Sequence, residues 1–316
     1  MKPRILTVSS AYMEFALRLD KFPDEGEVVA EKEYEYIAGG RGVGAAVALA
    51  KLGADSIFCT KLGTDGNGAK LRNYCEDIGI DTRFISMDRT KKTGMYFIVY
   101  EEYGNKRIVR YPGTNLLLRR TDVEEAFTCY PDALLLQFDV PADSAIAATQ
   151  YAAEQDIPVF VDAGPINPEL NISKLDRVEV FSPNADETYA YSGVYPSDVN
   201  KCIKACMALE QKIKAKYYVL KLGSRGCFLY DGKYYKFFPA IEVNAVDHGS
   251  AGEAFTSALA LEYMRTGGDI KSACEYANVV GAITVTRPGT AKSIPSASEV
   301  ESFLSKLNEE QISEEI

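Results

Sequence analysis

The chain has 316 residues, 47% of them hydrophobic, enough apolar material for the core of one large domain. Lys and Arg number 35 against 45 Asp and Glu, a net charge of −10, which argues against nucleic acid or an anionic membrane as partner, because both need a basic surface. No apolar run reaches the roughly 18–20 residues that span a bilayer, and the start of the chain shows no cleavage-like leader, so the expectation is a cytoplasmic protein.

Strand-like and helix-like runs alternate along the chain. "RILTVSS" (4–10) reads as a first buried strand and "GVGAAVALAKLG" (42–53) as a helix closing on Gly53. "SIFCTKLG" (56–63) is a strand, and "NGAKLRNYCEDIG" (67–79) a helix with Gly79 just past its end. Apolar, β-rich runs follow at 132–140, 158–164, 177–184 and 216–223, with helical stretches such as 141–155 between them. This alternation predicts an α/β fold: a mostly parallel sheet covered by helices on both faces. Two segments differ. Residues 26–38 and 94–113 alternate polar and apolar, as in a sheet with one wet face, and the second reads as a hairpin turning at Tyr103-Gly104-Asn105. They predict a small antiparallel lid, formed from about 11–38 and 92–113, on a single domain spanning 1–316. The acidic tail 308–316 is expected to fray.

The seven cysteines are scattered and form no CxxC pair. Cys202 and Cys206 share a helix face, but two thiols alone make a poor zinc site, so all seven read as buried and reduced. The single histidine, His248, excludes chemistry that needs several.

Two glycine-rich clusters carry the chemistry. In "AGGRGVGAAVALAKLG" (38–53), Gly40-x-Gly42-x-x-Ala45 nearly matches a dinucleotide fingerprint. That fingerprint should follow the first buried strand and be followed by a ribose-binding acid; here the preceding strand is the wet one and the acid is missing. The better reading is a backbone that a ligand can approach at a helix start, with a plain turn into a core helix as the alternative. In "AVDHGSAGEAF" (245–255), Gly249-Ser250-Ala251-Gly252 precedes a helix expected to begin near Glu253. Unpaired helix-start N–H groups among small residues suit an oxyanion or phosphate. Glu253 beside them could take a proton from an attacking hydroxyl, or merely complement the helix charge.

In this order, the clusters resemble the ribokinase-like (PfkB-type) carbohydrate kinases, nearly end to end. "GGRGVGAAVALAKLG" is similar to the family's G-G-K-G-x-N signature, and "AVDHGSAGEAF" to its V-D-T-T-G-A-G-D-A-F. "KLGTDGNG" (61–68), "YPGTN" (111–115), "SPNADE" (182–187), "KLGSRG" (221–226) and "AITVTRPGTAKSIP" (282–295) resemble further family motifs. The resemblance implies a ribokinase-like three-layer fold and a transferase that moves a phosphoryl group from ATP to a hydroxymethyl group of a small sugar or similar molecule. It places Glu253 as catalytic base and the backbone of Ser250, Ala251 and Gly252 as anion hole. Asn184 and Glu187 would organise Mg2+, Glu187 through water, and the phosphates. Lys221, Gly223, Ser224 and Gly226 would line the nucleotide, with Asn278 near its base. Asp247, Gly249, Val285 and Ser293 fall near the family's monovalent-cation loop, which would hold K+. The lid would exclude water, and its alternating face (Val28, Ala30, Tyr34, Tyr36) could pair with a second lid in a homodimer or simply cap the pocket.

Departures from the pattern cluster on the acceptor side. Glu253 replaces the family's base Asp, an added methylene that moves the carboxylate by about 1 Å and can cost roughly 10²-fold in rate. His248 and Gly249 replace hydroxyl residues. Tyr12 and Glu14 stand where ribokinases place Asn and a sugar-binding Asp. Arg41 and Gly44 replace the signature Lys and Asn beside Gly40, and Asp139 replaces a Glu. Unmatched buried polar groups reject a ligand strongly, so ribose is not the expected acceptor. Kept charges favour a re-tuned kinase; the altered base and lost Asn favour a kinase fold reduced to ligand binding or regulation. An NAD-dependent enzyme built on the Gly40 cluster is a third, weaker reading.

Overall fold

The computed structural model describes residues 2–30, 33–101 and 106–314. The first half contains β1 (Arg4–Val8), β2 (Tyr12–Leu19), β3 (Glu33–Gly39), α1 (Arg41–Lys51), β4 (Asp55–Gly63), α2 (Gly66–Ile78), β5 (Ile85–Asp88), β6 (Met95–Glu101), β7 (Lys106–Tyr111), α3 (Arg120–Ala126), β8 (Ala133–Gln137) and α4 (Ala142–Glu154). There follow β9 (Val159–Asp162), β10 (Val178–Ser182), α5 (Ala185–Ser192), α6 (Val199–Glu210), β11 (Ala215–Lys221), β12 (Gly226–Tyr230), β13 (Tyr235–Pro239), α7 (Ala251–Arg265), α8 (Ile270–Val285) and α9 (Ala297–Glu314).

A nine-stranded sheet runs β13-β12-β11-β10-β9-β8-β1-β4-β5. It is parallel from β11 to β5, and only the edge pairs β11–β12 and β12–β13 are antiparallel. Its central strands are apolar without a break because helices cover both faces. Neighbouring residues go to opposite layers, as a two-residue period requires. Ile5, Leu135 and Phe160 pack with α1, α7 and α8, whereas Leu6, Leu134, Leu136 and Val161 pack with α3, α4 and α6. Cys202 and Cys206 lie on the buried face of α6, and all seven cysteines are buried and unpaired.

A four-stranded sheet, ordered β3-β2-β6-β7, stands apart. Its outer pairings are antiparallel, but its central pair β2–β6 is parallel, since the chain returns to it only after α1, β4, α2 and β5. Of the expected strand at 26–38, residues 26–30 are not strand, and β3 covers Glu33–Gly39. The turn expected at Tyr103-Gly104-Asn105 lies outside the described residues; on either side of it Ile98 pairs with Ile108. Of the acidic tail, residues 308–314 belong to α9, and 315–316 lie outside the described residues. Among the described residues no helix is long and apolar enough to cross a membrane.

The Gly40–Ala45 cluster follows β3 of the small sheet, not a strand of the large one. That position removes the βαβ context a dinucleotide fingerprint needs. The carboxyl ends of β8, β9 and β11 instead share an edge with the starts of α1, α5 and α7, where parallel sheets bind ligands.

Candidate active site

α7 begins at Ala251, two residues earlier than expected. Ser250 adopts a left-handed conformation (φ 58°), and the first intrahelical bond runs from the Ala254 N–H to the Ser250 carbonyl at 2.9 Å. The N–H groups of Ala251, Gly252 and Glu253 precede that bond and have no intrahelical acceptor. Ser250, Ala251, Gly252 and Glu253 all line a cavity of about 900 Å³, within the roughly 300–1,000 Å³ typical of small-ligand sites. His248 lies along it too, exposed.

The Glu253 carboxylate turns toward α1, with Oε1 3.9 Å from Arg41 Nε and a side chain only 14% exposed. Burial raises its pKa above the usual carboxylate range; Arg41 opposes that rise and the Asp162 charge adds to it. Gly44 lies against the start of α7. A Cβ there would stand 3.3 Å from Ser250 Oγ, 3.6 Å from Glu253 Cβ and 3.7 Å from Glu253 Cγ, so a side chain at 44 would press on Ser250 and pack against the stem of Glu253.

Arg41 also reaches across the cavity, its Nη1 3.6 Å from Glu187 Oε1. Burial lowers its pKa, but Glu253, Asp162 and Glu187 outweigh that and hold the guanidinium charged. A side chain on Gly164 would collide with both Arg41 and Glu187. Glu187 is held by a reciprocal cap at the start of α5: the Glu187 N–H donates to Asn184 Oδ1 at 2.9 Å, and the Asn184 N–H donates to Glu187 Oε2 at 2.8 Å. Its Oε1 is left buried without a hydrogen-bond donor, and burial raises its pKa. A solvent-poor carboxylate oxygen of this kind fits a hard divalent cation or one of that cation's waters.

Of the expected acceptor-side residues only Arg41 lines the cavity; Glu14 and Asp139 lie behind it, close enough for their charges to act on Glu253 and Arg41. Glu14 is 6% exposed, and its Oε1 accepts the Gly40 N–H at 2.9 Å. Burial raises its pKa, and the nearby Glu253 charge adds to the rise. Asp139 accepts the Ser10 Oγ–H on one oxygen, while the other stands 3.0 Å from Ser9 Oγ, whose single proton is shared with Gln137 Oε1 at 2.6 Å; burial again raises the pKa, against these contacts and Arg41. Tyr12 does not line the cavity: its ring is buried 4.2 Å from that of Tyr96, and burial raises its hydroxyl pKa, against a side-chain hydrogen bond with Asn115.

On the other side of the cavity lie Asn184, Lys221, Gly223, Ser224, Gly226 and Asn278. Gly226 needs its bareness twice over, with φ 101° and the Phe238 carbonyl where a Cβ would go. Asn278 spends an amide N–H on the Pro239 carbonyl at 3.2 Å, tying α8 to β13. The candidate cation loop is closed on itself. Asp247 accepts the Gly249 and Gly289 N–H groups on its two oxygens, at 2.9 and 3.1 Å. The Val285 carbonyl accepts two N–H groups, from Val246 and Asp247, and the Ser293 hydroxyl donates to the Thr290 carbonyl.

Ser9, Ser10, Gln137 and Asp162 escaped the sequence reading. All are buried, and Gln137 and Asp162 end apolar strands. A polar residue at the carboxyl end of a buried parallel strand is the signal that could have found the last two.

The model of the pfkB family carbohydrate kinases matches residues 2–297. The ribokinase of Haemophilus influenzae is 27% identical over 306 residues, covering 96% of this chain and 99% of its own. The bifunctional ribokinase/ribose-5-phosphate isomerase A of Fructilactobacillus sanfranciscensis is 26% identical over 98% of this chain, which spans 57% of that longer protein. Among solved structures, Arabidopsis thaliana ribokinase complexed with ribose and ATP superposes with a TM-score of 0.88 at 25% identity, over 96% of this chain and 99% of that one. With its fold, its ordered glycine clusters and its helix-start site, the chain belongs to the pfkB family of carbohydrate kinases.

Proposed function

We propose that this kinase transfers the γ-phosphoryl group of ATP to a hydroxymethyl group of a small sugar or sugar-like acceptor other than ribose. The observation that carries this reading is the placement of the Glu253 carboxylate in the first turn of α7, beside free helix N–H groups and Arg41, in one cavity. Glu253 takes the proton from the acceptor hydroxyl as that oxygen attacks; its raised pKa brings it nearer neutrality, where a general base works best. The N–H groups of Ser250, Ala251 and Gly252 hold the phosphoryl oxygens. Lys221, Gly223, Ser224, Gly226 and Asn278 line the nucleotide side, while Tyr12, Glu14, Gly40, Arg41, Gly44 and Asp139 shape the acceptor side. Mg2+, when bound, neutralises phosphate charge, with Glu187 holding one of its waters. No step is routed through a monovalent cation.

The case against ribose rests on Tyr12 and Gly44. A buried ring and a residue without a side chain stand where the ribokinase pattern has two amides, so the hydrogen bonds those amides would offer are missing. In this reading the small sheet acts as the lid.

The test is a panel of sugars, sugar acids and nucleosides with ATP and Mg2+, read as acceptor-dependent ADP release. At least one acceptor is expected to be phosphorylated, and Glu253→Ala is expected to lower that rate by about 10²–10⁴-fold while ATP still raises the melting temperature. Unchanged turnover in Glu253→Ala would remove Glu253 from its role. The second reading, a ligand-binding protein without catalysis, draws on the lengthened base; it wins if ATP stabilises the protein but no acceptor is turned over.

A further inference from the structure

Lys221 ends β11 with a side chain only 10% exposed. Its ammonium donates to Asp162 Oδ1 and, at 3.2 Å, to Thr256 Oγ1. The Thr256 hydroxyl donates in turn to the Gly252 carbonyl at 3.1 Å, which ties the ammonium to the first turn of α7. Among the described residues the third ammonium N–H has no acceptor. Nζ stands 3.8 Å from where a Cβ of Gly252 would lie, on the wall of the cavity.

Asp162 keeps it there. The carboxylate is 1% exposed, and each oxygen is engaged: Oδ1 by Lys221, Oδ2 by the Gln137 amide at 2.8 Å. Gln137 Oε1 is itself fixed by the Ser9 hydroxyl at 2.6 Å, so the counter-ion is anchored to three strand ends and cannot follow a departing lysine. A cation beside a helix start has the wrong sign for that helix's partial charge. It is tolerated because Asp162 neutralises it, and the result is an ammonium and a set of helix N–H groups on the wall of one cavity. Such a wall is built for a multiply charged anion.

We propose that Lys221 contacts the phosphoryl group in transfer, rather than the rest of the nucleotide, and that Asp162 is the positioning residue that aims it. This rests on the kinase reading above. As the acceptor oxygen bonds to the γ-phosphorus, the bond from that phosphorus to the β–γ bridging oxygen breaks, and its electron pair leaves on ADP. The acceptor's proton goes to Glu253. Lys221 stays protonated throughout and supplies charge and one hydrogen bond.

The test compares ATP and ADP binding by calorimetry in the full-length protein, alongside turnover. Lys221→Met is expected to weaken ATP by about 10- to 100-fold, the worth of one charge-assisted hydrogen bond, and to leave ADP within about 2-fold. Its kcat should fall by about 10²–10³-fold, as when an oxyanion donor is lost. Asp162→Asn should show the same ATP-selective loss, and the double variant should be no worse than Lys221→Met alone, because the two act as a unit. Equal weakening of ATP and ADP, or of neither, overturns the assignment of Lys221; additive losses overturn that of Asp162. Should Lys221→Met fail to fold, Lys221→Arg keeps the charge but moves the donors, and it too must weaken ATP more than ADP. If the wild type phosphorylates nothing in the panel, the kinase reading falls while the ATP-against-ADP comparison still decides Lys221.

Discussion

Gly44 and Glu253, two departures from the family pattern, lie side by side in the site. A Cβ at Gly44 would have Ser250 Oγ, Glu253 Cβ and Glu253 Cγ all within 3.7 Å. Gly44→Asn should therefore lower turnover by at least about 10-fold, through displacement of the Glu253 carboxylate. In a Glu253→Asp background, where the acid is shorter, the same change should cost much less. Steady-state kinetics on the four proteins of this cycle check it, and independent, additive effects would sink the idea. The raised pKa of Glu253 has a signed consequence. A carboxyl with a raised pKa keeps its proton to higher pH, so the base is idle until the pH passes the raised value. The acid limb of kcat/KM is therefore expected above the ordinary value of 4.5, and a limb at or below it in a pH–rate profile would contradict the assignment. Glu14, Asp139 and Glu187 shift in the same direction from the same burial, so the limb belongs to the cluster as a whole.

At the scale of elements, the motif "SPNADE" serves the fold before it serves chemistry. Asn184 and Glu187 cap α5 reciprocally, which is sufficient structural reason for both residue types at that spacing. Asn184→Ala should cost about 1 kcal/mol of stability, seen as a lowered melting temperature in the ligand-free protein, whereas Asn184→Asp should retain most of the cap. If Asn184→Ala melts like the wild type, the cap carries no stability and the motif's purpose lies elsewhere. The start of α7 shows what local pattern leaves open. Small residues marked the turn, but the left-handed Ser250 sets the helix start at Ala251, and that brings Gly252 and Glu253 inside the first turn. A one-sided apolar period sees where a helix packs more clearly than where its first hydrogen bond forms.

At the scale of the molecule, one face of the small sheet packs on α2 and the core through Met13, Tyr36 and Met95, and its outer part leaves apolar side chains exposed. Phe97 is 41% exposed, Val109 67%, Tyr34 62% and Tyr111 41%. Phe97 pairs with Val109 across β6 and β7, and with Phe15 across β2. We propose that a second copy packs on this outer part, since contiguous apolar surface of this kind commonly marks an interface. Sedimentation at micromolar concentration should show a dimer, and Phe97→Lys with Val109→Lys should yield a monomer; a monomeric wild type would refute the pairing. The parallel sheet, its helical cover and the helix-start glycines of both clusters were legible in the sequence, because burial periodicity and turn chemistry act over a few residues. So was the convergence of Glu14, Arg41, Asp139 and Glu253, through the motif resemblance alone. The partnership of Lys221 with Asp162, 59 residues apart, was not legible, nor was the closeness of Gly44 to Ser250 and Glu253. Both depend on which strand ends and helix starts the sheet order sets side by side, and no local pattern along the chain encodes that adjacency.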